Sequence, residues 1–364
     1  MLRPVPPAPP PRLLLAAAGV LCVLAACAKT SPPLPSAGTM RHFPIPWENA
    51  FPSDVAVDAE GRLWFTDRIT HAVGMFDPAT ETFTRLETPT EKSAPYGMVA
   101  APDGTLWFAL SRGGGLGHLD PGEGVIREVP LAGLRLGPNL VAWSEGAVWF
   151  TARDERAFGR YDPATGATAV WTGRVPGKPY GIAATPDGQV WIGIYDGSHL
   201  YRVDEHQDSF TVIDVRERVR SSLSEERLAQ LPPEVRERAR WIQRAAGMRR
   251  IAAAPDGSLW VAEFGRGRVS GVRPGTGEWW RIATLDQPSE PYGITVDPWG
   301  RVWFAEKGNG ALVVWDRAGA QRRTLRLPVA GGTVRHMVVD AERARVWLPL
   351  SDVGVIALVE LGGG

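Results

Sequence analysis

The chain is 364 residues long, with 44% hydrophobic and 22% charged side chains, and its 40 basic and 40 acidic residues cancel. This composition is globular and sufficient for a sizeable core. The zero net charge gives the whole molecule no field that would draw it to nucleic acid or to an anionic membrane surface.

Arg3 and Arg12 precede an apolar run, Leu13 to Val23. The run is too short to span a bilayer as a helix. With the basic start and the small residues that follow, it reads as an export signal over residues 1–26. The segment ends Leu24-Ala25-Ala26-Cys27 and resembles the lipobox of bacterial lipoproteins. That resemblance implies lipidation of Cys27 and a place on the cell envelope, with the membrane met through the lipid anchor only. An ordinary secretory signal cut near Ala26 is the alternative. Cys22 would leave with the signal, so no internal disulfide is expected. Residues 27–39 are rich in Pro and Ser and read as a tether.

Over residues 40–364 one phrase returns about every 43 residues and closes each time on a Trp: Trp64, Trp107, Trp149, Trp191, Trp260, Trp303 and Trp347. Tight Asp-Gly turns precede several of these, as at Asp103-Gly104, Asp187-Gly188 and Asp256-Gly257, because Gly accepts positive φ. Three copies open with Pro-Tyr-Gly, at residues 95, 179 and 291. A period of this length built from short strands predicts an all-β, seven-bladed β-propeller of four-stranded blades, one domain and a monomer. The last copy lacks a fourth strand. The segment from Met40 to Pro46 resembles the outer strands of other blades and is expected to complete blade seven, which removes exposed strand edges.

One spacing departs, with an excess between Trp191 and Trp260. Ser222-Leu-Ser-Glu225 fits a capping box. Pro232-Pro233 suits the first turn of a second helix over residues 234–246, with Gly247 as its C-terminal cap. The expectation is a helical hairpin insertion over 214–247 between blades four and five, serving as a lid or as a solvated decoration.

In a propeller the first strand of each blade lines the axis. Its opening residue lies eleven before the Trp, and the residue three after the Trp returns beside it. Around the ring these openers are Ser53, Tyr96, Pro138, Tyr180, Arg249, Tyr292 and His336, with partners Asp67, Leu110, Ala152, Ile194, Glu263, Glu306 and Leu350. Blades five to seven, with blade one beside them, collect Arg249, Arg250, Glu263, Glu290, Tyr292, Glu306, His336 and Asp67. Convergent ionisable groups of this kind point to a binding or catalytic mouth.

The repeated Tyr-Gly-Ile, Pro-Asp-Gly and Leu-Trp-Phe phrases are similar to those of the virginiamycin B lyase (streptogramin lyase) family of seven-bladed propellers. That family opens an antibiotic ring by elimination across an ester, without water and with magnesium. Its Glu-Pro-His-Gly-Ile motif, followed by Trp-Phe and a Glu fourteen residues after the His, corresponds here to Glu290-Pro291-Tyr292-Gly293-Ile294 and Trp303-Phe304-Ala305-Glu306. The resemblance implies Mg²⁺ held by Glu290 and Glu306. It also implies catalysis at the position of Tyr292. Here Tyr stands where the family has its His base, and Arg249 stands where a second His is expected. His336 is the other candidate base, since its ordinary pKa lies near neutral. Arg249, Arg250, Glu263 and Asp67 are left to bind a small carbonyl or ester compound. A non-catalytic binding scaffold and a metal-dependent lactone hydrolase similar to the gluconolactonase-type propellers are the alternatives.

Overall fold

Seven four-stranded antiparallel sheets follow one another along the chain in the computed structural model. It describes residues 32–35, 40–131, 137–203, 211–215, 218–220, 225–230, 232, 241–243, 246–283 and 289–361. The export signal and Cys27 lie outside them. No helix among the described residues is long and apolar enough to cross a membrane.

Blade six shows the unit. Its strands are Pro291–Val296, Val302–Glu306, Ala311–Asp316 and Gln321–Arg326, hydrogen-bonded in that order from axis to rim. The innermost hairpin closes as Gly300 donates its N–H to the Asp297 carbonyl at 2.9 Å, with φ of 82° at Gly300. The ring is shut as the sequence predicts. Met40–Pro44 adds to the outer edge of blade seven by pairing with Val355–Glu360, from Met40↔Val359 to Pro44↔Val355. Neither that edge nor the seam between the chain ends is left as a template for aggregation.

Each repeat Trp belongs to the joint with the following blade. Trp64 clusters with Met98 and Phe108 of blade two, and Trp191 with Met248 and Ile251 of blade five. Trp303 clusters with Val346 and Leu348 of blade seven, and Trp347 with Val55 and Phe65 of blade one. One such ring buries up to about 250 Å². A sheet hydrophobic on both faces has to bury them against two neighbours, so the Trp period dictates the ring. The Phe after the Trp needs room on the third strand, and Gly74 and Gly117 supply it. A Cβ there would sit 2.1 Å from the Phe65 and Phe108 rings respectively.

The insertion between blades four and five is not the expected helical hairpin. Arg218–Arg220 pairs antiparallel with Trp241–Gln243, and the helix between them runs only Glu225–Ala229. Val219 faces Ile242 across this ribbon, and β-branched and aromatic residues favour a strand there, whereas a helix this short has little stability of its own. Most of the predicted second helix lies outside the described residues.

Candidate functional site at the strand-opening end of the bore

In five blades the first strand slips register just after its opening pair. Pro95↔Leu110 is followed by Met98↔Phe108, and Pro291↔Glu306 by Ile294↔Phe304; blades one, four and five do the same. Such a bulge lets an extra residue escape the ladder and re-aims its side chain. The residues so released include Tyr96, Tyr180 and Tyr292.

These three tyrosines, from blades two, four and six, meet on the axis. The Tyr96 and Tyr180 hydroxyls are 2.6 Å apart, and each lies 3.2 Å from the Tyr292 hydroxyl. Arg335 Nη1 donates to the Tyr292 oxygen at 3.3 Å. Burial raises the pKa of Tyr96 to about 12 and lifts Tyr180 well above its ordinary value, with the neighbouring Tyr292 adding to both. Tyr292 differs. Burial also works to raise its pKa, but the charge of Arg335, hydrogen bonds from Tyr180 and Tyr96, and the charge of Arg249 outweigh it and lower the value. Tyr292 is the phenol of the three that gives up its proton first.

The Gly that follows each Tyr lets neighbouring inner strands close in. Gly97 N–H donates to Asn139 O at 2.9 Å, and Gly293 N–H to Val334 O at 3.1 Å. The other blades fill the bore with charge. Asp54 of blade one, fully buried, takes Arg250 Nη2 on Oδ2 at 2.6 Å and is in contact with His336 Nδ1 through Oδ1. The amides of Val55 and Met98 complete its set, each at 3.0 Å, and Arg250 Nε donates to Arg335 O at 3.1 Å. Arg250 is therefore committed to the protein's own buried ion pair, with His336 set against the same carboxylate.

A belt of stacked cations and rings surrounds the tyrosines. The Arg249 guanidinium carbon lies 4.0 Å from the Tyr195 ring centre, 4.4 Å from Phe264 and 5.6 Å from Tyr292. Arg335 lies 5.1 Å from Phe51 and 5.2 Å from Tyr292. Arg68 covers Tyr96 at 5.1 Å, and Arg153 covers Tyr180 at 5.5 Å.

The acidic candidates sit elsewhere. Asp67 is buried and accepts from Trp47 Nε1 and from the amides of Phe51 and Thr70. Glu263 is buried against Arg266 at 2.8 Å, Arg268 at 3.1 Å and the Ser270 hydroxyl, and burial raises its pKa. Glu306 is buried, accepts from Asn309 Nδ2 at 2.9 Å and has Arg322 at 3.9 Å. Glu290 stands on left-handed backbone with φ of 46°, half exposed, its oxygen 4.0 Å from Lys307 Nζ. A hard cation needs several unclaimed oxygens. Glu306 is already engaged and Glu290 lies beside an ammonium. No group of three or more His, Cys, Asp or Glu suited to a metal occurs among the described residues. This donor set does not fit Mg²⁺.

Two local effects explain the difference from the sequence reading. The partner positions Asp67, Glu263 and Glu306 pair with the opening Pro or Met, and successive strand residues face opposite sides. In blades one, three, four and five it is the residue after the partner that reaches the belt: Arg68, Arg153, Tyr195 and Phe264. Blade seven also has a longer inner hairpin. The residue paired with the Trp lies eight before it in blade two (Val99↔Trp107) and nine in blade seven (Val338↔Trp347). Counting from the Trp therefore selects His336, whereas Arg335 occupies the place of Tyr292. In blade three the hairpin is shorter (Ala142↔Trp149), which puts Asn139 there instead of Pro138. A depression of about 940 Å³ opens at the opposite, hairpin-turn end, lined by Trp143, Pro186, Pro255 and Pro298 among others. It is the roomier hollow, but convergent charge lies at the tyrosine end.

Residues 28–203 match the model of the virginiamycin B lyase family. The match ends ahead of Glu290 and Tyr292. No curated protein sequence matches the chain. Among solved structures, the selenomethionine-substituted virginiamycin B lyase from Staphylococcus aureus superposes with a TM-score of 0.73 at 17% identity, over 88% of this chain and 99% of that one. A streptogramin B lyase gives 0.73 at 18% identity, over 88% and 97%. A catalytically inactive variant of the Staphylococcus aureus lyase with quinupristin gives 0.72 at 17%, over 88% and 99%. At these identities the likeness shows the fold: a seven-bladed, virginiamycin B lyase-like propeller.

Proposed function

We propose that the protein is an exported, lipid-anchored propeller that binds a small carbonyl or ester compound over the tyrosine triangle, and that Tyr292 is the base of an elimination there. The observation that carries this is the Tyr292 hydroxyl, held by Tyr96, Tyr180 and Arg335 with Arg249 over the same ring. In its phenolate form Tyr292 takes a proton from a carbon that lies beside a carbonyl group and is bonded to the carbon carrying the ester oxygen. The electron pair moves onto the carbonyl oxygen as an enolate, which Arg335 and Arg249 stabilise by charge. The enolate collapses to a carbon–carbon double bond as the alkyl C–O bond of the ester, on the adjacent carbon, breaks and the ester leaves as a carboxylate with the electrons. Tyr292 then returns the proton. No step uses a metal.

Quinupristin, present with the inactive relative, is the first probe, followed by simpler esters with an acidic proton beside the carbonyl. In H₂¹⁸O the product should be unsaturated and carry no ¹⁸O, and Tyr292→Phe should lower kcat by at least a hundredfold with little change in KM. Incorporated ¹⁸O would mean hydrolysis, the lactonase-like alternative. Unaltered turnover in Tyr292→Phe would remove Tyr292 from the chemistry. A second reading, binding without turnover, draws support from the burial of the Tyr292 side chain; it requires ligand binding with no product at all.

A further inference from the structure

We infer that the ligand of this mouth is an organic anion: a carboxylate or phosphate carried on a flat, unsaturated body. This rests on the mouth being the ligand site, but not on the elimination. Four arginines, Arg68, Arg153, Arg249 and Arg335, come to one end of the bore from blades one, three, five and seven, each lying over aromatic rings. Their counter-charges are few. Arg153 is held by Asp154 at 2.9 Å. Arg335 has Asp352 at 3.7 Å, and a carboxylate oxygen of Asp352 already accepts from the Thr333 hydroxyl. Arg249 and Arg68 make no ion pair with a carboxylate among the described residues, although Asp154 feels the charge of Arg68.

The donors point the same way. Nε of Arg249 and Nε of Arg335 are both buried without a hydrogen-bond acceptor among the described residues. A buried donor left unmade favours any acceptor that can reach it. Stacking occupies the flat face of a guanidinium and leaves its in-plane N–H groups for a planar acceptor such as carboxylate, or for phosphate. Arg249 and Arg335 both lie over the Tyr292 ring, at 5.6 and 5.2 Å. Two positive charges set against one ring raise the local potential, which an anion would lower, and the low dielectric of the surrounding rings strengthens that attraction. The depressed pKa of Tyr292 reports the same positive field. The walls, Phe51, Tyr195 and Phe264, supply π-faces for a flat apolar body. The depression at the other end of the bore has Glu145 and Asp187 for its charges and offers no cation of this kind.

Isothermal titration of the full chain at constant ionic strength, with benzoate, phenyl phosphate and neutral benzamide, tests this. Benzoate and phenyl phosphate should bind at least tenfold more tightly than benzamide. Arg249→Met and Arg335→Met should each weaken benzoate at least tenfold, Arg249→Lys should restore part of the loss, and Arg127→Met on an outer strand should leave it unchanged. Circular dichroism melts confirm that each variant is folded; if Arg335→Met does not fold, the Arg249 pair decides. Benzamide binding as well as benzoate, no binding of either anion, or no loss in Arg249→Met would overturn the inference. Anion binding without turnover of any ester would sink the elimination alone. Turnover of a neutral ester with no anion binding would sink this inference alone.

Discussion

Arg250 of blade five donates from Nη2 to Oδ2 of Asp54 in blade one at 2.6 Å, across 196 residues of sequence. The pair crosses the bore beneath the tyrosine triangle, and Asp54 also reaches His336 of blade seven and the Met98 amide of blade two. One carboxylate thus ties four blades together. Breaking such a pair leaves an uncompensated buried charge, which costs about 3–5 kcal/mol.

The pH dependence of that tie follows from Asp54. Burial would raise its pKa, but Arg250 and His336 together overcome this and lower it to about 2 from the ordinary 3.8. A depressed folded-state pKa contributes stability above the unfolded value and loses it as pH falls through the folded one. The window is therefore pH 4 down to 2, and the contribution is of order 2 kcal/mol. Urea unfolding of the wild type and Asp54→Asn should show a gap at pH 6 that narrows by about that amount towards pH 2. A gap constant over this range would refute the assignment.

The three axial phenols should ionise in sequence. Absorbance at 295 nm through an alkaline titration should show an early phase that Tyr292→Phe removes. Arg335→Met should move that phase to higher pH, because the charge that offsets burial is gone. Tyr96→Phe should instead delete a late phase, since burial holds that phenol at about 12. An early phase surviving in Tyr292→Phe would transfer the role to another tyrosine.

The Gly after each axial Tyr is a matter of closeness between blades. A Cβ at Gly97 would stand 2.6 Å from Leu140 Cα, which is backbone and cannot step aside, whereas at Gly122 the nearest atom is Asp120 Oδ1 at 3.2 Å. Neither residue has positive φ, so the contrast is steric. Gly97→Ala should destabilise by about 1–3 kcal/mol, and Gly122→Ala should be neutral or stabilise by up to ~1 kcal/mol through the unfolded chain. Thermal melts of the two variants decide it, and equal melting temperatures would contradict the packing described.

The ring was legible because its signals are redundant. Seven Trp at a spacing broken only between Trp191 and Trp260, the Asp-Gly turns and the orphan strand at Met40 all require the same closure. The mouth was less so, because strand residues alternate sides with a period of two. A one-residue error in parity exchanges Asp67 and Glu263 for Arg68 and Phe264, which turns an acidic site into a cationic and aromatic one. The altered hairpins of blades three and seven hid Asn139 and Arg335 for a related reason, since counting back from the Trp assumes a constant turn. Asp54 was one residue beyond the opener that was read. The repeated positions after each Trp, Arg-Arg-Tyr-Phe in blades one, three, four and five, were the available signal for the belt.

The chain enters the ring from the hairpin-turn end, and this fixes how an anchored molecule would stand. Arg301 Nη1, beside the Asp297–Gly300 turn, donates to the Pro32 carbonyl at 2.8 Å, Leu34 packs on the blade-seven core, and Pro35 is buried. Four residues, and so five Cα–Cα steps, separate Cys27 from Pro32, a reach of at most about 17 Å. If Cys27 is acylated, so short a reach would hold the hairpin-turn face towards the bilayer and leave the tyrosine mouth facing away from it. The mature chain would carry no other thiol, so single labels can be placed on Glu342→Cys at a hairpin turn and Glu91→Cys in a strand-opening loop. In vesicles containing a lipid-borne quencher, the label at 342 should be quenched several-fold more than the label at 91, and Cys27→Ser should abolish both effects together with radiolabelled fatty acid uptake. Stronger quenching at 91 would reverse the orientation, whereas absence of fatty acid in the wild type would show that the anchor itself was misread.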